Sequence, residues 1–180
     1  TAVGNPSNHI VFSANPSIGW KGIRMILPDN NSEISYCEFE HGNAYSIQDR
    51  LEGYGGAIFL KFADVPITHN TFKFNAAQNG GAIANWGSDA SITNNVFLSN
   101  EATIAGGGIY VFAQGSGTID GNVMVRNSSD NEGGGIYVIN SNPTINENIL
   151  RFNLAESGAG IYVNNSWSEI SANSLDTHFA

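Results

Sequence analysis

The sequence is poor in the groups that usually stitch small folds together. It has one cysteine, Cys37. A lone thiol excludes an internal disulfide and a cysteine-based zinc cluster, so stability must come from burial and backbone pairing. Cys37 sits in the strand-like run ISYCEF, where a small packed side chain is the simplest reading. Basic residues are scarce: seven Lys and Arg stand against sixteen Asp and Glu, a formal net charge of -9. Such a surface repels phosphate backbones, which argues against nucleic acid and anionic membrane as partners. Neutral glycans and cation-bridged polyanions remain open. No apolar run approaches the ~20 residues of a membrane span, so membrane insertion is not expected. The chain opens at Thr1 without a signal peptide and reads as a processed or excised segment. Few lysines with much Gly, Asn and Ser point to a secreted protein.

What the chain has is repetition. A Gly-rich opening recurs as GGAI (Gly55–Ile58), GGAI (Gly80–Ile83), GGGI (Gly106–Ile109), GGGI (Gly133–Ile136) and GAGI (Gly158–Ile161). Its isoleucines step by 25, 26, 27 and 25 residues, and WKGI, ending at Ile23, is a looser first copy. An I-x-x-N motif follows at Ile67–Asn70, Ile92–Asn95, Ile119–Asn122, Ile145–Asn148 and Ile170–Asn173; the copy at Ile34 ends in Cys37. An F-x-x-N motif, with Met or Leu in place of Phe, comes next at Phe12–Asn15, Phe72–Asn75, Phe97–Asn100, Met124–Asn127 and Leu150–Asn153. The copies at Phe39 and Leu175 end in Gly42 and His178.

The period selects the architecture. Three short strands and three turns use about 26 residues and rise one strand spacing, ~4.8 Å. Helical repeats are longer, propeller blades need ~40 residues, and the leucine pattern of leucine-rich repeats is missing. The sequence therefore predicts an all-β fold, a right-handed parallel β-helix of about six coils of 25–27 residues, as a single domain over 1–180. Apolar residues should stack coil on coil in three columns, since no coil can bury its apolar side alone. The glycines should supply positive φ at a corner. The Asn columns should fill tight turns, where Asn tolerates the left-handed region, and bond amide to amide through the stack. As glycosylation sequences, Asn31-Ser32-Glu33 fails for want of a hydroxyl, and the Asn127 of Asn127-Ser128-Ser129 belongs to a ladder.

The GGAI and FxxN copies (Gly55–Ile58, Gly80–Ile83, Phe12–Asn15, Phe72–Asn75, Phe97–Asn100) resemble the repeats of chlamydial polymorphic outer-membrane proteins, which are autotransported adhesins. ITNNVFLSN (Ile92–Asn100) and PTINENILRFN (Pro143–Asn153), followed by GGGIYV-type strands, resemble the pectate-lyase-like β-helix repeats of bacterial secreted proteins. The resemblance covers nearly the whole chain and rests on structural residues. It implies the fold and an extracellular or surface location, and the chain carries no barrel domain of its own.

Neither end reads as a cap. An open solenoid end invites edge pairing, so a longer protein or end-to-end self-association is expected. One coil departs from the period: Ile23 to Ile58 spans 35 residues, with the excess in a loop insertion over 43–54. Glu38, Glu40, His41, Asp49, Arg50 and Glu52 lie near it. A solvated loop is the plain reading, and a ligand or metal site the functional one.

The residue after each Gly-motif Ile is Arg24, Phe59, Ala84, Tyr110, Tyr137 and Tyr162 in turn. Strand alternation places this position outside, with Trp86 and Phe112 two residues further along. The sequence predicts an exposed aromatic strip of Phe59, Trp86, Tyr110, Phe112, Tyr137 and Tyr162, suited to a flat partner such as an extended glycan or a protein. Neighbouring tyrosines also stabilise a sheet without any ligand. Enzymes of the resembled fold cleave uronate polysaccharides with a Lys or Arg base or clustered Asp. Lys61, Lys73, Arg126 and Arg151 are scattered, and Lys73 and Arg151 share a column three coils apart, ~14 Å. The carboxylates Asp64, Asp89, Glu101, Asp130, Glu132, Glu147 and Glu156 fall mostly in turns. Glu101, Asp130, Glu132 and Glu156 precede successive Gly corners and could form an acidic edge for solubility or for Ca²⁺. No cofactor is otherwise implied, and His9, His41, His69 and His178 share no spacing. The sequence points first to a non-catalytic extracellular or cell-surface module for adhesion or glycan or protein binding. The alternatives are a fragment or relative of a polysaccharide-active enzyme, lyase or hydrolase, and a structural stacking spacer.

Overall fold

The computed structural model describes residues 1–27, 32–45 and 52–178. Every strand pairing is parallel, and four sheets run along a solenoid of about six coils. The Gly-motif sheet stacks Ile23–Ile26, Ile58–Lys61, Ile83–Trp86, Ile109–Phe112, Ile136–Ile139 and Ile161–Asn164. The IxxN and FxxN sheets each hold seven strands. The fourth sheet is short and was not expected: Asn43–Ala44, Ala76–Asn79, Glu101–Ala105 and Ser128–Ser129. Its Ala-rich segments carry no alternation that would announce a strand.

The three predicted columns are in register. Ile23, Ile58, Ile83, Ile109, Ile136 and Ile161 pair in sequence. So do Ile34, Ile67, Ile92, Ile119, Ile145 and Ile170. The third column is Phe12, Phe39, Phe72, Phe97, Met124, Leu150 and Leu175. Its phenyl rings stack face to face at 4.9 Å between Phe12, Phe39, Phe72 and Phe97. Apart from Ile170 and Leu175, which are exposed in the last coil, these residues, with Cys37, Leu60, Val111 and Val138, form one continuous core.

The first glycine of each motif (Gly55, Gly80, Gly106, Gly133, Gly158) has φ between +57° and +69°. The second meets the next coil's backbone: a Cβ on Gly81 would lie 2.2 Å from the Gly107 carbonyl oxygen. Glycine thus serves these corners for two separate reasons, and only in the last copy does an alanine, Ala159, hold the second place.

The two Asn columns are buried ladders. Each Oδ1 accepts from the backbone N–H and from the Nδ2 of the Asn in the preceding coil; Asn122 Oδ1 receives both from Asn95, at 2.9 and 3.1 Å. Its own Nδ2 donates to Asn148 Oδ1 and to the Ile92 carbonyl. The expected backbone role is corrected. The left-handed residue is the one before each Asn: His69, Phe74, Asn94, Ser99, Gly121, Arg126, Glu147, Phe152 and Ala172. Asn is selected at the following position for its side-chain donor and acceptor together. Cys37 and Gly42 hold the corresponding places lower in the stack, and their backbone N–H groups donate to Asn70 and Asn75 Oδ1. Asn127 is fully buried with its amide bonded, so it offers no glycosylation site.

Candidate functional site

Outward positions of the Gly-motif sheet form two columns. One runs Arg24, Phe59, Ala84, Tyr110, Tyr137, Tyr162; the other runs Ile26, Lys61, Trp86, Phe112, Ile139, Asn164. The structure brings Phe59, Trp86, Tyr110, Phe112, Tyr137 and Tyr162 onto one face, as strand alternation requires. Their expected exposure is corrected. Phe59 is 1% exposed and Tyr137 7%, while Trp86, Tyr110, Phe112 and Tyr162 are part-buried.

Two features cover this face. The first is the ladder itself. Tyr110 stacks on Tyr137 at 5.0 Å and Tyr137 on Tyr162 at 5.4 Å, each pair within 3° of parallel. Ring faces are spent on neighbouring rings, so an incoming ligand meets ring edges along most of the column. The second is Tyr54, from the end of the insertion. Ala84 leaves a gap between Phe59 and Tyr110, and the Tyr54 ring settles over it. Its centroid lies 5.9 Å from both Phe59 and Tyr110, and it stacks on Phe112 at 5.0 Å. Tyr54 therefore reaches two coils along the sheet. Residues 46–51, including Asp49 and Arg50, lie outside the described residues. Tyr54 was missed because it precedes a strand and shows no periodicity, although an aromatic column broken by one alanine beside an oversized coil was a usable signal.

Electrostatics follow from this packing. Burial pushes the phenols of Tyr110 and Tyr137 above the usual tyrosine range. Lys61 lies over the Trp86 ring at 4.3 Å, a cation–π contact. Arg24 donates to the Gly55 carbonyl at 2.8 Å, and its guanidinium carbon lies 5.7 Å from the Phe59 ring centroid. Burial lowers its pKa to about 10.

The other candidate groups resolve into structural roles. Lys73 is paired with both Glu38 and Glu40, which hold its ammonium above the usual lysine range. The register places Arg151 three coils from it. Asp64 Oδ1 accepts from the Asp89 backbone N–H, and Asp89 Oδ1 accepts from Ser116, so these carboxylates close turns. Glu101, Asp130 and Glu156 are exposed, and among the described residues no three His, Cys, Asp or Glu come together to hold a metal. His9 and His69 flank Tyr36, the His69 ring stacked on it at 5.0 Å. Cys37 is fully buried, and burial pushes its thiol pKa up.

No curated protein and no solved structure matched the chain. The finer resemblance to polymorphic outer-membrane adhesins finds no support in these comparisons. The sequence pattern of the right-handed β-helix region matches residues 5–179, nearly the whole length, and with the parallel solenoid described above it establishes that the chain belongs to the right-handed β-helix family.

Proposed function

We propose that the chain is a non-catalytic module of a secreted or cell-surface protein, which binds an extended glycan or protein across the outer face of the Gly-motif sheet. One observation carries this reading: Phe59, Trp86, Tyr110, Phe112, Tyr137 and Tyr162 all point away from the solenoid interior, joined there by Tyr54. The interior is already filled by the three aliphatic and phenyl columns. Outward aromatics add nothing to it, and aromatic residues are enriched where proteins meet partners. The outward face of the IxxN sheet is different in kind, with Thr93, Thr118, Asp120, Thr144 and Asn146. The part-buried Trp86–Phe112 pair, 4.9 Å apart, is the centre of the aromatic face. A lyase role for Lys73 is weakened by its ion pairs, since a general base must be free to take a proton.

Binding of the wild-type chain to a panel of extended glycans and extracellular proteins tests this. Trp86→Ala/Phe112→Ala should weaken a bound partner at least ~10-fold, the effect of losing a hot-spot pair, while Trp167→Ala leaves it unchanged. Trp167 is the control because it is 93% exposed and distant in register from Trp86. Full retention in the double variant, or no partner for the folded wild type, removes this reading. Serine substitutions at Tyr110, Tyr137 and Tyr162 would confound binding with packing, so Phe replacements are the appropriate probe of the hydroxyls.

A further inference from the structure

At the N-terminal end of the aromatic face a pocket of about 200 Å³ is lined, among the described residues, by Lys21, Arg24, Ile26, Glu52 and Phe59. It gathers two of the chain's seven basic residues in a protein of net charge -9. The Arg24 side chain is anchored through Nη1 on the Gly55 carbonyl. Its Nη2 is sealed from water and has no hydrogen-bond partner. Native structures keep few such groups, because an unpaired buried donor is costly, and a charged one more so. Lys21 and Glu52, 3.8 Å apart, are each more than half exposed at their side chains. They are the flexible wall that can yield to a ligand.

We propose that this pocket is a carboxylate-binding site for a compact ligand with an apolar body, of the kind presented by the free C-terminal residue of a polypeptide. Once Lys21 and Glu52 swing aside, the carboxylate takes the unpaired Nη2 of Arg24 in a charge-assisted hydrogen bond. The apolar body lies on Phe59 and Ile26. Lys21 adds a second positive charge, partly offset by Glu52. A sugar acid shares the carboxylate but needs partners for several hydroxyls, and among the described residues the pocket offers Lys21 and Glu52 for them. The volume falls below the ~300–1,000 Å³ of drug-sized sites and suits a single residue. The proposal stands apart from the reading above, since it rests on Arg24 and not on Trp86 or Phe112.

The test is titration of the whole chain, followed by backbone amide NMR, with three probes: N-acetyl-L-leucine, its neutral amide N-acetyl-L-leucinamide, and D-glucuronate. The expected result is a roughly millimolar affinity for the acid, as befits a fragment-sized ligand. Shifts should centre on Gly55 and Phe59, with the amide and the sugar acid at least tenfold weaker. Arg24→Gln should abolish acid binding, and Arg24→Lys should restore part of it. Equal binding of acid and amide overturns the proposal. So does tighter binding of D-glucuronate, an absence of shifts at 50 mM acid (about fifty times that affinity), or undiminished binding by folded Arg24→Gln. Should Arg24→Gln fail to fold, the acid-against-amide comparison on the wild type decides alone.

Discussion

A single ladder amide shows how much of the fold depends on individual atoms. Asn122 makes four buried hydrogen bonds through its side chain, two as acceptor and two as donor. Asn122→Leu keeps the branched four-atom skeleton and leaves the Asn95 donors, the Ile92 carbonyl and Asn148 Oδ1 short of partners. The expected loss is about 3 kcal/mol or more, at the upper end of the cost of one orphaned group, read as a lower urea midpoint. These columns were legible in the sequence because an amide that donates and accepts between coils admits few substitutes. The left-handed residues before them were not legible. His, Phe, Asn, Ser, Gly, Arg, Glu and Ala all occupy that place, because the ladder over-determines a backbone conformation that the residue itself does not favour.

At the scale of a strand, Ile109 pairs in register with Ile83 and Ile136 and is fully buried. Ile109→Ala should cost roughly 2–5 kcal/mol, the range for a core cavity, measured by equilibrium denaturation. Alternation along the same strand sends Tyr110 outward, and the side of the sheet was correct from sequence. Its accessibility was not, since face-to-face stacking and a ring contributed by Tyr54 are properties of the assembled surface. The packing has a signature in alkali. In the unfolded chain tyrosine ionises near pH 10, whereas Tyr110 and Tyr137 hold their protons to higher pH when folded. Their contribution is fully present below pH ~10 and is lost above it, as the unfolded state releases protons first. Melting temperature should therefore fall from pH ~10 upward, and Tyr110→Phe should flatten that fall.

Across the whole molecule, strands pair only with the coils above and below, and apart from Tyr54, which reaches two coils on, stability is close to a sum of nearest-neighbour terms. Three stacked columns and two amide ladders repeat that interface with little variation from Asn70 to Asn173. The two proposed sites lie where the repetition breaks: the oversized coil supplies Tyr54 and Glu52, and the first coil supplies Arg24 and Lys21, all on one face.

The ladders also set how the chain would carry a load. From Asn70 to Asn148 each ladder Asn donates to the Asn of the coil that follows it, so tension applied at the C-terminal end would peel the solenoid one circuit at a time. Each circuit holds 25–27 residues in the regular region, enough to release roughly 90 Å of slack when it gives way. Pulled in a force spectrometer, the chain should yield in near-equal steps of that length. The step containing the 35-residue interval from Ile23 to Ile58 should be longer, at roughly 120 Å. A rod that yields in this way would spread a pull over many similar small failures, where one large interface would have to survive it whole.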